Sequence, residues 1–451
     1  MESLPIFRYP PIRFTYPILS PSSIWSENER TSSNIMCKLI RNGLDQVLFF
    51  DAKDVHSIKV LRDERGVFWL FYNGARDQLI KIYNGSRGIG VAISQDGVFF
   101  VKHPKNPLIR AGLFELESGI WKCSPLKVGE KFLIYYGAFS RKGASGIRLA
   151  YSSDGIHWIK CKKPILIPDN QESKEYVSTP AVTYDKDKKL FIMLYLLQPS
   201  NTINLAYSTD GVRWRKCKNN PVLQRASGWE EHSFAPFCLI KKDHTYFLFY
   251  EGKSSAKMPN WRIGVAYSHD LIHWERYPEN PVLNPGPPGN FDDSSVSDPS
   301  VIIDNHFWRL YYGCRNKYGI GYGGLALFPL EPICYDYFRV KGIPLDGKTI
   351  ATCGTDGVIC EGWQKMLINI SSNISLSVEI QTLHNGNWCC YDKLYIHSDK
   401  LTKYELLNMS NHHISGVKLK FVGSCNTKIV AKWVLTEPCS HHFLKKGRSC
   451  K

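Results

Sequence analysis

The chain has 451 residues, of which 43% are hydrophobic and 13% aromatic, and it carries a formal net charge of +16. This length exceeds the usual size of one core, so we expect two domains with ample material for packing. The 14 cysteines are irregularly spaced, which excludes a paired CxxC zinc pattern and a compact disulfide framework. The charge favours an acidic partner such as an anionic glycan, nucleic acid or a membrane surface, although the basic residues form no single long run.

Residues 1–47 precede the first repeated unit. They are rich in proline and serine at the start and lack the uninterrupted apolar stretch of a secretory signal, while 36–40 form a possible strand. No later stretch is long enough to span a bilayer. We therefore expect no membrane partner, and a cytoplasmic chain is the default expectation, with secretion left open.

Four copies of one phrase follow at nearly equal spacing. They occupy residues 92–97, 150–158, 206–214 and 266–274. In the second copy, Ala150-Tyr151-Ser152 predicts a short strand, Asp154-Gly155 predicts a tight hairpin turn, and Trp158 starts the next strand. We therefore interpret the aspartates of the four copies as turn formers; they are Asp96, Asp154, Asp210 and Asp270.

An aromatic-rich strand precedes each copy, and a fifth such strand comes after the last copy. These strands lie at 68–72, 132–136, 190–195, 246–250 and 307–312. Four antiparallel strands in each of five radially repeated units predict a five-bladed β-propeller, which we place at 48–332. The fifth unit, 291–329, lacks its last strand, and an open edge is an aggregation liability. We therefore predict that the segment 1–47 closes the ring, with a strand from 20–48.

The pattern changes after Pro332. Short strands that alternate with period two, separated by glycine and asparagine turns, predict an antiparallel β-sandwich over 333–435. Residues 436–451 form a basic tail that contains histidine and cysteine. The predicted fold class is therefore all-β, with a five-bladed β-propeller followed by a β-sandwich.

The repeated phrase Tyr-Ser-x-Asp-Gly-x-x-Trp, followed by Asn-Pro-Val-Leu, resembles the five-bladed propeller glycosidases, which include invertase/levanase, arabinanase/xylosidase and mannoside phosphorylase families. The strands at 367–369, 377–380 and 417–421 are similar to the β-sandwich of invertase-like enzymes. The resemblance covers about 50–435 and implies a glycosidase similar to glycoside hydrolase families 32 and 43. The Asp-box of sialidases is a competing likeness, but there one residue separates Asp from Gly, and six repeats are expected.

The resemblance also implies where acids should stand, because the first residues of each innermost strand converge on the propeller axis. The related families carry an Asp at the first blade, an Asp before Pro at the third and a Glu before Pro at the fourth. In this chain the first blade offers Asp54, with Asp51 as second choice. Thr179 and Ala235 occupy the third and fourth positions, whereas the Asp-Pro pair appears in the fifth unit as Asp298-Pro299.

Glycoside cleavage needs two carboxyl groups on opposite sides of the bond. We predict that Asp54 or Asp298 is the base or nucleophile and that Glu231 is the acid. The candidate substrate-binding residues are His56, Trp121, Glu175 and His232. Glu230 and Asp292 recur in one slot after an aromatic residue, which favours a structural role for both.

The sequence contains no phosphate-binding GxxxxGKS motif, no Rossmann glycine pattern after a strand and no HExxH. We therefore predict no metal and no cofactor, and we interpret 319–324 as strand-packing glycines. A carbohydrate is the expected partner, and nucleic acid is not favoured because that role rests on net charge alone. The alternative is a non-catalytic glycan-binding or scaffold propeller, which Thr179 and Ala235 support. Sugar, linkage, hydrolysis against phosphorolysis and oligomeric state stay open.

Overall fold

The computed structural model describes residues 11–14, 17–21, 51, 54–75, 88–110, 119–139, 146–169, 175–256, 260–304, 307–330, 334–337, 340–341, 351–355, 358–359, 363–372, 375–384, 387–398, 400–407, 409, 414, 416–423 and 429–438. All regular elements in these ranges are β-strands. None of the described segments is a helix long and apolar enough to cross a bilayer.

The strands of the first two thirds of the chain are, in order, β1 (Ile12–Phe14), β2 (Asp54–Arg62), β3 (Phe68–Ala75), β4 (Gly88–Ser94), β5 (Val101–Lys102), β6 (Ile109–Arg110), β7 (Gly119–Val128), β8 (Lys131–Phe139), β9 (Ile147–Ser152), β10 (Ile159–Lys160), β11 (Tyr176–Asp185), β12 (Leu190–Gln198), β13 (Thr202–Ser208), β14 (Arg215–Lys216), β15 (Ser233–Lys242), β16 (Thr245–Lys253), β17 (Arg262–Ser268), β18 (Glu275–Arg276), β19 (Ser295–Ile303), β20 (Phe307–Arg315) and β21 (Gly321–Pro329).

The remaining strands are β22 (Cys334–Tyr337), β23 (Val340–Lys341), β24 (Ala351–Thr355), β25 (Val358–Ile359), β26 (Trp363–Ser372), β27 (Leu376–His384), β28 (Asn387–Ile396), β29 (Thr402–Leu406), β30 (Gly416–Gly423) and β31 (Ile429–Pro438).

Twenty of the strands β1 to β21 form repeated antiparallel units of four, and the short β6 pairs with β4 beside the first unit. The units are β2–β3–β4–β5, β7–β8–β9–β10, β11–β12–β13–β14, β15–β16–β17–β18 and β19–β20–β21–β1. The first strand of each unit lies against the first strands of two other units, in the order β2, β7, β11, β15, β19 and back to β2. This closed ring of first strands is the architecture of a β-propeller, so the predicted all-β propeller fold is confirmed.

Strand β1 completes the last unit. It pairs antiparallel with β21, with Ile12 opposite Leu327 and Arg13 opposite Ala326. The predicted closing strand at 20–48 lies almost wholly outside the described residues, because only 20 and 21 of this range are described. A strand from upstream of that range therefore covers the edge of β21.

The repeated phrase builds the same turn in each copy. In the second copy, the Ser152 Oγ accepts a hydrogen bond from the Gly155 N–H at 2.9 Å. The Asp154 Oδ1 accepts from the backbone N–H groups of Ile156 and His157, both at 2.8 Å. Trp158 donates its indole N–H to the Gly155 carbonyl at 2.9 Å. The aspartate thus ties down the turn backbone, as its interpretation as a turn former requires.

Gly155→Ala is expected to destabilise the protein more than Gly129→Ala does. Both glycines have positive φ, 78° and 56°, so alanine costs about 1–2 kcal/mol at each. A Cβ at Gly155 would lie 2.9 Å from the Trp69 ring, whereas one at Gly129 meets nothing within 4 Å. Overpacking therefore adds roughly 1–3 kcal/mol at Gly155 alone. Denaturant unfolding of both variants measures the difference, and equal losses would contradict it.

Strands β22 to β31 form two sheets. One contains β23, β24, β30 and β25 with β27 and β28, and the other has the order β22–β31–β26–β29. Met366, Ile368 and Ile370 of β26 are buried in one cluster with Val378 and Ile380 of β27, so the sheets pack face to face as a β-sandwich. Strand β1 also pairs with β25, which joins the sandwich to the propeller.

Candidate functional site

Irregular pairing marks the first strands where they converge on the axis. The register of each first strand shifts against its second strand, between His56 and Lys59, Trp121 and Cys123, Ser178 and Ala181, Pro236 and Cys238, and Ser297 and Ser300. Four residues at these bulges have positive φ: Ser57 (53°), Lys122 (42°), Thr179 (49°) and Asp298 (54°). Such strain costs about 1–3 kcal/mol per residue and is concentrated at functional sites.

Asp298 is the centre of the hydrogen-bonded cluster that these bulges produce. Its side chain is 2% exposed, and its carboxylate accepts hydrogen bonds from the Lys122 Nζ, from the Ser57 N–H at 3.1 Å and from the Ser297 Oγ at 3.1 Å. Burial alone would raise the pKa of Asp298, but the charge and hydrogen bond of Lys122, together with the charge of Lys59, lower the pKa to about 2. Asp298 is therefore ionised at neutral pH.

Glu251, near the end of β16, is the second buried carboxyl group of the cluster. It is 5% exposed, and its Oε2 accepts a hydrogen bond from the Asp298 N–H at 3.1 Å. Burial raises the pKa of Glu251 to about 7, although the Lys122 charge opposes the rise. The two acids thus have pKa values displaced in opposite directions, which is the arrangement expected for an acid and a base.

Two lysines surround these carboxyl groups. Burial lowers the pKa of Lys122, but the charges of Asp298 and Glu251 outweigh it, so the pKa is raised. Lys59 is buried and donates to the backbone carbonyls of Phe237 at 2.9 Å and Pro299 at 2.6 Å, and burial lowers its pKa to about 8. Both ammonium groups lie over the Phe237 ring, at 4.5 Å for Lys59 and 4.8 Å for Lys122.

A second group of polar side chains lies at the start of β2. Arg315 donates from Nη2 to the Asp54 Oδ2 at 2.5 Å, and the His56 Nδ1 lies 3.6 Å from the same oxygen. Burial lowers the pKa of His56, so the imidazole is neutral at pH 7. The His56 ring centroid is 6.1 Å from that of Trp121. The buried Asp54 Oδ1 and His56 Nδ1 have no hydrogen-bond partner within the described part of the chain.

A separate set of carboxylates has a structural function. Each of its three members accepts a hydrogen bond from a buried tyrosine hydroxyl: Asp51 from Tyr72 at 2.9 Å, Glu230 from Tyr250 at 2.6 Å and Asp292 from Tyr312 at 2.8 Å. Each also pairs with one cation, from Lys102, Arg276 and Arg13 respectively. This repeated carboxylate–tyrosine–cation anchor supports the structural interpretation of Glu230 and Asp292. It also accounts for Asp51, the second choice for the first blade.

The structure brings together four of the seven residues predicted for the site: Asp54, His56, Trp121 and Asp298. Glu231 and His232 are exposed in the turn before β15, where the Arg225 Nη1 donates to both of their carbonyls, at 3.0 and 2.9 Å. Glu175 is half-buried immediately before β11. Catalysis by Glu231 and substrate binding by Glu175 and His232 stay predictions.

Sequence reasoning missed Glu251, Lys122, Lys59 and Arg315. Glu251 follows the tyrosine of the second strand, where the corresponding residues of other units are Asn73, Gly137, Leu196 and Gly313. Only this unit has an acidic residue at this position of the repeat. The same kind of departure from the repeat identified Asp298 as a candidate. The signal was available for Glu251, but only first strands were expected to reach the axis.

No protein-family model matches the chain. Part of the chain, 25% of its length, is 27% identical over an alignment of 126 residues to a 1,2-beta-oligomannan phosphorylase of Thermoanaerobacter sp. (strain X514). This match spans about two fifths (42%) of the length of that curated relative.

Two solved structures have a similar fold. One is a glycosyl hydrolase from Bacteroides ovatus, with a TM-score of 0.54 and 16% identity over 70% of this chain and 94% of that chain. The other is a beta-1,2-mannobiose phosphorylase from Listeria innocua in complex with beta-1,2-mannobiose, with a TM-score of 0.51 and 15% identity over 71% and 97%. The structural neighbours are thus propeller-fold proteins of the glycoside hydrolase type, as the sequence resemblance implies, and at these identities they show the fold.

Proposed function

We propose that this chain is a carbohydrate-active enzyme that cleaves a glycosidic bond of an oligosaccharide at the propeller axis. The observation that carries the proposal is the pair Glu251 and Asp298, two buried carboxyl groups linked through the Asp298 N–H, because the pKa of Glu251 is raised and that of Asp298 is lowered. Glycoside cleavage requires one carboxyl group in each state. The names of the similar proteins, a glycosyl hydrolase and two mannoside phosphorylases, support an oligosaccharide substrate.

Each residue of the cluster takes a role that follows from its protonation state. Glu251 donates its proton to the glycosidic oxygen of the leaving group. Asp298 acts as the base or nucleophile, and Lys122 keeps it ionised. Because Lys59 is held by two backbone carbonyls, its charge supports Asp298 without contacting the sugar.

The group at the start of β2 binds the sugar in this proposal. The Asp54 Oδ1 and the neutral His56 Nδ1 are buried polar atoms that hydroxyl groups of a sugar would satisfy. The adjacent Trp121 offers a ring face on which a pyranose can stack. These residues would fix the orientation of the ring whose bond is cleaved.

A non-catalytic glycan-binding propeller is the second candidate function. One observation favours it: the Asp298 carboxylate already accepts three hydrogen bonds from the protein, from Lys122, Ser57 and Ser297. A carboxylate with three hydrogen bonds from the protein can serve as a structural ion-pair partner instead of a catalytic group. The two candidates differ in whether a bound glycan is released as shorter products.

Incubation of the full chain with a panel of oligosaccharides, with and without inorganic phosphate, separates these functions. We expect shorter products by mass spectrometry, as free sugars if water is the acceptor or as sugar 1-phosphates if phosphate is. We expect Glu231→Gln to retain this activity, because Glu231 is exposed outside the cluster. Glycan binding without any product would establish the second candidate, and loss of activity in Glu231→Gln would restore Glu231 as the acid.

A further inference from the structure

Strand β28 lies at the edge of its sheet in the sandwich and exposes aromatic side chains. Among the described residues it pairs with β27 alone. Tyr395 is 58% exposed and Tyr391 is 40% exposed, while Trp388 is half-buried. A sandwich strand normally buries one face, so a strand that exposes several aromatic side chains is a candidate binding surface.

Strands β27, β28 and β30 present one common outer face. Along β27, Leu376, Val378 and Ile380 are buried toward the other sheet, so the alternate residues Ser377, Glu379 and Gln381 face outward. In the sheet, Tyr395 of β28 lies opposite Ser377. Glu379 lies between Lys393 of β28 and Lys420 of β30, and Gln381 lies between Cys390 of β28 and Lys418 of β30. We call this set, with Trp388, the outer face.

The outer face has an excess of positive charge. It contains Lys393, Lys418 and Lys420 against one acid, Glu379, whose Oε1 accepts from the Gln381 amide at 2.6 Å. The Lys418 Nζ lies 4.4 Å from the centroid of the Trp388 ring, so a cation and an aromatic ring form one continuous surface. Burial first and the neighbouring Lys420 second lower the pKa of Lys418. A bound anion would relieve this repulsion.

We propose that the outer face binds an acidic polysaccharide, with its sugar rings on Trp388 and Tyr395 and its carboxylates at Lys418 and Lys420. Trp388 and Tyr395 lie at opposite ends of β28, roughly 20 Å apart at the rise of an extended strand. An extended chain of several sugars can therefore contact both rings at once. Amide and serine side chains between them offer hydrogen bonds to sugar hydroxyl groups.

The spacing of charge on the outer face selects an acidic polysaccharide over nucleic acid. Double-stranded DNA carries one negative charge per about 1.7 Å, and its binding sites match this density with many lysines and arginines. The outer face has three lysines on two strands, one on β28 and two on β30, and β27 lies between these strands with Glu379 in the row between Lys393 and Lys420. Neighbouring strands are about 4.8 Å apart. Sparse charge combined with widely separated rings fits a polymer that carries one carboxylate per sugar.

The experiment measures binding of the full chain to polygalacturonate by affinity electrophoresis, with the methyl-esterified polymer and a single-stranded oligonucleotide as comparisons. We expect polygalacturonate to bind, more weakly as salt rises, and the neutral ester and the oligonucleotide to bind less. The double variant Lys418→Gln/Lys420→Gln should weaken binding by roughly tenfold. Tyr395→Ala should also weaken binding, because it removes a ring on which a sugar would stack. The Tyr395 ring is mostly exposed, so its loss leaves the core intact.

Lys403→Gln is the control for loss of a lysine away from the outer face, because Lys403 is exposed on β29 in the other sheet of the sandwich. It removes one positive charge and should leave binding unchanged. The proposal is overturned if polygalacturonate does not bind, if the double variant binds as the parent does, or if Lys403→Gln weakens binding as much. Stronger binding of the oligonucleotide would assign the face to nucleic acid. None of these outcomes depends on catalysis at the propeller axis.

Discussion

Glu251→Gln is expected to lower the turnover of a cleaved oligosaccharide by about 10²–10⁴-fold, the usual contribution of a general acid. Glutamine retains an oxygen that can accept from the Asp298 N–H but has no acidic proton to transfer to the leaving group. The matched control is Glu231→Gln, the same substitution at an exposed acid of the same unit. Activity of Glu251→Gln within a few-fold of the parent would remove Glu251 from the mechanism.

The pH dependence of stability gives a second measurement on the same variant. Because the pKa of Glu251 is about 7 in the folded chain and 4.5 in the unfolded one, the folded state binds the proton more tightly. This preference stabilises the fold fully below pH 4.5 and is lost as the pH rises through 7, a decline of about 3 kcal/mol. Glu251→Gln lacks it, so its free energy of unfolding should fall less between pH 5 and 8.

The same protonation sets the expected activity profile. The value of kcat/KM should fall as the pH rises above about 7, because Glu251 then loses the proton that it donates. Asp298 stays ionised down to a much lower pH because Lys122 depresses its pKa, so the acidic limb lies well below neutrality. A profile that instead rises through pH 7 would assign Glu251 as the base.

The repeated units were predictable because their information is local. Each phrase such as Ser152-Ser153-Asp154-Gly155 closes its own hairpin through hydrogen bonds within a few residues, so the sequence specifies the turn directly. The closing strand was not predictable in the same way. Ile12–Phe14 is three residues long and lies far in sequence from its partner β21, so neither length nor pattern identifies it.

The residues of the candidate site also differ in how far local sequence predicts their position. Asp54, His56, Trp121 and Asp298 lie at the beginnings of first strands, which the repeat itself places at the axis. Glu251 lies near the end of the second strand of one unit, and it joins the cluster by accepting a hydrogen bond from the Asp298 backbone of the next unit. That contact depends on how these two neighbouring units pack and on a bulge at Asp298, neither of which a period of hydrophobic residues encodes.

Lys122→Met is expected to destabilise the fold by about 3–5 kcal/mol, because it leaves the buried Asp298 carboxylate without its compensating charge. Methionine preserves most of the side-chain volume, so the effect reports charge rather than a cavity. Lys127→Met is the control on the same strand β7. Lys127 pairs with Glu64, whose carboxyl group is exposed, and we expect little change in its free energy of unfolding.

The double variant Lys122→Met/Asp298→Asn separates charge from packing. If the cost of Lys122→Met is an unpaired buried carboxylate, neutralising Asp298 should restore much of the lost stability. Activity should not return, since the ionised carboxylate is then absent. Urea unfolding of the parent, the two single variants and the double variant gives the coupling energy between Lys122 and Asp298. A coupling near zero, or a loss in Lys122→Met no larger than in Lys127→Met, would show that this ion pair does not hold Asp298 ionised.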